Sequence, residues 1–246
     1  MVYSGKIYET DGANPVAVHE AEAVRPLAPI PHSPSLRLFR SDFAASVEGE
    51  PIEPRFFYGN PGALAGASQL INPPETMFRL GVLPLMAAVI VTDAYRVDIE
   101  DADDLILGYT MINLMISRTD EGIERDLGFI GRSHDLGGVI GPVLTTPDEL
   151  EDDVQSNEFG RRYDLTAVLR VNGVEKERGS AMDLPNTFAQ AISFASQTCT
   201  LKTGDLFAMG PITEPETGPI FLEPGDEVQL AISKLGALSL KLSNPQ

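Results

Sequence analysis

The stretch GVLPLMAAVIVTDAYRV, Gly81 to Val97, restricts the fold more than any other. A period of two puts Leu83, Leu85, Ala87 and Val89 on one face, and Val82, Met86, Ala88 and Ile90 on the other. Both faces are apolar, so this strand belongs in a sheet covered on both sides. Pro84 has no N–H to give a neighbouring strand, which predicts an edge or a bulge at that point.

The rest of the chain supplies many short strands and turns. Its 246 residues include 22 glycines and 19 prolines, spread along the length rather than gathered. GKIYET and DGANPVAVHE read as a hairpin turning at Asp11-Gly12. Pro-rich VRPLAPIPHSPS follows as an extended linker. The expected division is a small N-terminal β lobe and linker over 1–30 and one main domain over 31–246. Leu36, Phe39, Phe43 and Val47 lie three or four apart and predict a short helix, as do Phe188, Ala191, Ile192 and Ala195. In YDLTAVLRVNGVEKERGS, Leu165, Ala167, Leu169 and Val171 share a face and Asn172-Gly173 makes a hairpin turn. DEVQLAIS and GALSLKLS are two further strands. The sum is an α+β, β-rich fold with a few short helices.

Charge excludes some partners. The formal net charge of −18, from 36 acids against 18 bases, repels nucleic acid and anionic membrane surfaces. No apolar run reaches the roughly 20 residues that span a bilayer. The opening MVYSGKIYET has neither a basic nor an apolar leader region, so the expected location is cytoplasmic. The single cysteine, Cys199, allows no internal disulfide and reads as a structural thiol.

Several segments, in order along nearly the whole chain, resemble the fumarylacetoacetate hydrolase family. They are YETDGANPVAVHEAEAVRPLAPIPHSPSL, ADDLILGYTMIN, GPVLTTPDEL, DLTAVLRVNG, CTLKTGDLFAMGP, FLEPGDEVQLAI and LGALSLKL. The resemblance implies a mixed β-sandwich roll after the small N-terminal lobe, usually a homodimer, and a β-dicarbonyl or 2-oxo-acid substrate. It also implies one Mg²⁺ or Ca²⁺ held by carboxylates, the oxygen ligands such hard cations prefer.

At the places of those carboxylates this chain has leucine. The family's Glu-x-Glu pair falls on Leu83 and Leu85, a third carboxylate on Leu114, and the Asp of longer members on Leu38. A catalytic His of some members falls on Ala45. Leucine cannot ligate a metal, so neither a metal nor another cofactor is expected. The family's active-site Lys falls on His134, which with Arg118, at the family's SARD arginine, makes the catalytic candidates. Asp135 is placed to orient His134, while Tyr58 and Asn60 belong to a loop that reaches substrate in family members. Met209 stands near the threonine of the family's TGTP.

Three functions compete. The first is a metal-independent enzyme with a leucine-lined cavity. It would fold an apolar β-dicarbonyl substrate of polyketide, tetronate or tetramate type, as a natural-product cyclase, isomerase or lyase. The second is a non-catalytic relative that binds a ligand or partner, with the leucines collapsed on one another. The third is a metal hydrolase with substitute ligands from Asp42, Asp120 or Asp135. The space between Leu38, Leu83, Leu85 and Leu114 separates the first two.

Overall fold

The computed structural model describes residues 2–3, 6–11, 14–20, 23–41, 53–73, 79–215 and 218–243. Two sheets carry the main body. The larger has seven strands in the order Phe57–Gly59, Leu36–Arg40, Leu206–Gly210, Leu80–Ile90, Ile106–Ser117, Gly138–Thr145 and Leu64–Gly66. The smaller has six, in the order Glu214–Pro215, Val174–Ser180, Thr166–Val171, Glu227–Ile232, Gly236–Leu242 and Gln69–Ile71. A two-stranded ribbon, Val154–Asn157 with Gly160–Tyr163, and the N-terminal strands Val2–Tyr3, Lys6–Asp11 and Asn14–Glu20 complete the β structure. Three α-helices span Ile99–Ala102, Arg118–Asp126 and Phe188–Ser196 among the described residues. The fold is α+β and strand-rich, as the turn spacing predicts.

The Leu80–Ile90 strand is buried along its whole length, because it lies between two long neighbours and has apolar layers above and below. Its even-numbered face joins Met111, Met115, Val139, Phe207 and Met209 in the core between the two sheets. Its odd-numbered face joins a second, separate core. Pro84 sits inside the sheet rather than on an edge strand. Its missing N–H lies on the side of the Leu206–Gly210 strand, just past the last ladder pair, Met209 with Met86. Beyond that pair the Pro84 carbonyl accepts from Ile212 N at 2.9 Å, so no ladder bond is lost.

The hairpin at Asn172-Gly173 forms with both residues at positive φ, +52° and +78°. That is the two-residue turn matched to strand twist. Leu165, Ala167, Leu169 and Val171 are buried together. The Phe188–Ser196 helix starts with a capping box: Thr187 accepts from Gln190 N, and the Gln190 side chain accepts from Thr187 N. The Lys6–Asp11 and Asn14–Glu20 strands pair as a hairpin, with Asp11 opposite Asn14. The helix expected from Leu36 to Val47 is instead a strand over Leu36–Arg40, while 42–52 lie outside the described residues. Leu36 and Leu38 face one core and Phe39 the other, so a doubly buried strand gave the same spacing as a helix. No helix among the described residues is long and apolar enough to cross a membrane.

Candidate functional site

The four leucines come together. Leu83 and Leu114 are direct cross-strand partners, Leu85 lies opposite Ile112, and Leu38 pairs with Ala208, itself opposite Ala87. These residues form one apolar cluster with Leu36, Ile116, Ile140 and Leu206, and none of the four leucines is more than 2% exposed. Packing is close at the edge as well. A Cβ on Gly59 would stand 2.8 Å from Leu36 Cδ2 and 2.9 Å from Leu38 Cδ1, so an added methyl would have to push those leucine tips aside. Burying each leucine contributes roughly 1.5–3 kcal/mol.

This cluster does not suit a divalent cation, since it offers methyl groups where oxygen ligands are required. Among the described residues no three His, Cys, Asp or Glu side chains converge as a metal site. Of the substitute ligands, Asp120 accepts from Ser117 Oγ at 2.7 Å at a helix start, and Asp135 accepts from Asn60 Nδ2 at 2.7 Å. Asp42, like Ala45, lies outside the described residues.

His134 and Arg118 meet through a buried ion network. Glu121 sits one turn into the Arg118–Asp126 helix and is shared by three guanidiniums: Arg40, Arg118 at 3.1 Å and Arg125 at 3.2 Å. Arg40 Nη1 also lies 2.7 Å from His134 Nε2. A guanidinium can only donate, so Nε2 accepts and the proton belongs on Nδ1. Nδ1 then donates to Ser133 Oγ at 2.8 Å, and Ser133 Oγ donates to Glu124. Glu124 also accepts from Gly131 N and Ser133 N at 2.9 and 3.1 Å. Phe57 packs edge-on against the imidazole, with centroids 5.1 Å apart.

Both ring nitrogens are therefore occupied, and His134 is only 3% exposed. Burial and then the Arg40 charge pull its pKa from 6.5 to about 4, against the opposing pull of Glu121 and Glu124. The group is a neutral structural imidazole at pH 7. Burial pushes the Glu121 carboxyl up, but Arg40 and Arg118 outweigh it and hold the group below its ordinary value.

The sign of the His134 shift makes stability depend on pH. As pH falls, the unfolded chain takes the imidazole proton first. The contribution of neutral His134 is therefore complete above pH 6.5 and drains as pH drops towards 4. Glu121 and Glu124 lose theirs only below about 4.5. Stability to urea of the unsubstituted chain should fall from this one group between pH 6.5 and 4.5, with a slope that steepens towards about 1.4 kcal/mol per pH unit. His134→Gln should remove that slope; an unchanged slope would place the buried proton acceptor elsewhere.

The other candidates are scattered. Asn60 caps the short turn Pro61–Ala63 through Gly62 N and is tied to Asp135 at the surface. Tyr58 is exposed and packs edge-on against Phe56. Met209 faces the core between the sheets, away from the leucine cluster. The partners of the ion network, Arg40, Glu121, Glu124 and Ser133, are not among the residues singled out by sequence. Glu121 carried a local signal, three and four residues from Arg118 and Arg125.

The family described as fumarylacetoacetate (FAA) hydrolase C-terminal matches residues 34–243. Oxaloacetate tautomerase YisK of Bacillus subtilis is 29% identical over 193 residues, 77% of this chain and 61% of the tautomerase. The 2,4-didehydro-3-deoxy-L-rhamnonate hydrolase of Sphingomonas sp. is 30% identical over 200 residues, 78% of this chain and 66% of the hydrolase. The chain thus spans about three-fifths to two-thirds of the length of these relatives. Among solved structures, a 5-carboxymethyl-2-hydroxymuconate delta-isomerase from Mycobacterium smegmatis superposes with a TM-score of 0.74 at 22% identity. That match covers 94% of this chain and 86% of the isomerase. Maleylpyruvate hydrolase from Sphingobium sp. SYK-6, in complex with manganese (II) ion and pyruvate, gives 0.70 at 21%, covering 94% and 78%. With the family match running through both sheets, from the Leu36 strand to the Leu242 strand, this chain belongs to the fumarylacetoacetate hydrolase family.

Proposed function

We propose that this chain is a binding member of its family, one that takes up a ligand or partner and performs no divalent-metal hydrolysis in the interior of the larger sheet. The observation that carries this reading is the packing of Leu38, Leu83, Leu85 and Leu114 into one cluster, each at most 2% exposed. A cavity kept open for an apolar β-dicarbonyl needs room among these four side chains, which the packing takes up. The metal-independent cyclase, isomerase or lyase is therefore the less favoured reading. His134 lends it no catalyst, since the ring is buried, neutral and bonded at both nitrogens.

The relatives define the test. Oxaloacetate and acylpyruvates should be offered to the chain with Mg²⁺ or Mn²⁺, alongside calorimetric titration of each metal. The expected result is no turnover above the metal-catalysed background and no saturable heat. Stoichiometric metal binding together with turnover would overturn the proposal.

A further inference from the structure

A cleft of about 400 Å³ opens on the opposite side of the Leu80–Ile90 strand from the leucines, at Val82 and Pro84. Its size falls within the roughly 300–1,000 Å³ typical of small-molecule sites. Pro84, Pro219 and Phe221 give it apolar walls, and Arg79, Arg118, Glu177 and Thr213 give it polar groups.

Each polar group is positioned. The Arg79 guanidinium lies 4.3 Å above the Phe221 ring centroid and has no ion-pair partner among the described residues. Its backbone adopts φ +54°, an uncommon conformation for a non-glycine residue, and this occurs at the mouth of the cleft. Arg118 gives Nη1 to Glu121, but its Nε is buried without a partner. The guanidinium rests over Gly81, where a Cβ would come within 3.2 Å of Nε. Glu177 is buried, and Thr213 Oγ1 donates to its Oε2 at 2.6 Å. Burial raises the Glu177 pKa against the pull of Thr213 and Arg118.

The geometry points to a binding site for a small aromatic hydroxycarboxylate. Two guanidiniums facing one apolar-walled cleft attract a carboxylate. Phe221 and the prolines offer apolar walls to a flat ring, and Glu177 accepts a hydrogen bond from a hydroxyl group on it. The net charge of −18 works against any anion, so attraction at this place comes from the two guanidiniums alone and favours a ligand of low charge. The site lies on the other face of the Leu80–Ile90 strand from the leucine cluster, so binding here is measured without metal and its outcome is separate from that of the metal titration.

Calorimetry on the intact chain at pH 7 tests the site with benzoate, 4-hydroxybenzoate and neutral benzamide. Both carboxylates should saturate below about 10 mM, with benzamide at least about tenfold weaker. Arg79→Gln, a change at an exposed side chain, should weaken both carboxylates about fivefold or more while leaving the melting temperature unchanged. 4-Hydroxybenzoate should bind more tightly than benzoate, and Glu177→Gln, which leaves only a neutral acceptor, should narrow that preference by about threefold or more. Equal binding of benzoate and benzamide, carboxylate affinity indifferent to Arg79→Gln, or no saturation by 4-hydroxybenzoate would overturn the assignment.

Discussion

Leu85→Glu should cost at least about 4 kcal/mol of unfolding free energy, enough to unfold much of the chain at room temperature. The position is fully buried and its surroundings are aliphatic. A carboxylate placed there has neither water nor a cation, so it must protonate or break the cluster open. Leu85→Ala should cost about 2–5 kcal/mol, by lost burial and a residual cavity. If Leu85→Glu folds with a cost below about 1 kcal/mol, the cluster has room for a polar group and the closed interior is wrong. Urea unfolding of the three proteins at pH 7 decides this.

Asp205→Ala should be comparably damaging, at about 3–5 kcal/mol. Asp205 holds Arg37 at 2.9 Å, and both side chains are almost completely buried. It also accepts from Ser35 Oγ at 2.8 Å and Lys202 N at 2.9 Å. Arg37 is enclosed by the rings of Phe56, Tyr58 and Phe207, at 5.7, 5.5 and 5.2 Å from its Cζ. Removing the acid leaves that guanidinium buried without a counter-charge. The pair joins the Leu36–Arg40 strand to the segment entering Leu206–Gly210, two strands that contribute Leu38 and Ala208 to the leucine cluster. The double change Arg37→Met with Asp205→Leu should therefore cost less than Asp205→Ala alone. A larger cost for the double change would mean that the pair stabilises through more than charge compensation.

Local signals in the sequence carried much of the fold. The Asn172-Gly173 turn, the Phe188–Ser196 helix and the doubly apolar Leu80–Ile90 strand each rest on backbone chemistry within a few residues. Leu36–Arg40 has the spacing of a helix and is a strand. There, burial on both faces removed the alternation that tells a strand from a helix. The ion network was hidden for another reason. The Arg118–Asp126 helix is dense in charge, RTDEGIERD, yet it buries Glu121 and Glu124 and leaves Ile123 exposed. The residues that make this possible, Arg40 and His134, lie 94 positions apart in the chain. The leucines show the same limit. Alone, Leu83 and Leu85 are core residues, and only the family resemblance made them informative about a site. That they fill one another's space is a property of three dimensions.

On the proposed reading, the four leucines close the space that the family resemblance assigns to a metal. Crystals of the chain pressurised with xenon read this directly, because xenon occupies dry apolar cavities and ignores filled ones. Closed packing leaves no xenon density among Leu38, Leu83, Leu85 and Leu114. An ordered xenon atom between them would contradict it and restore an open apolar pocket.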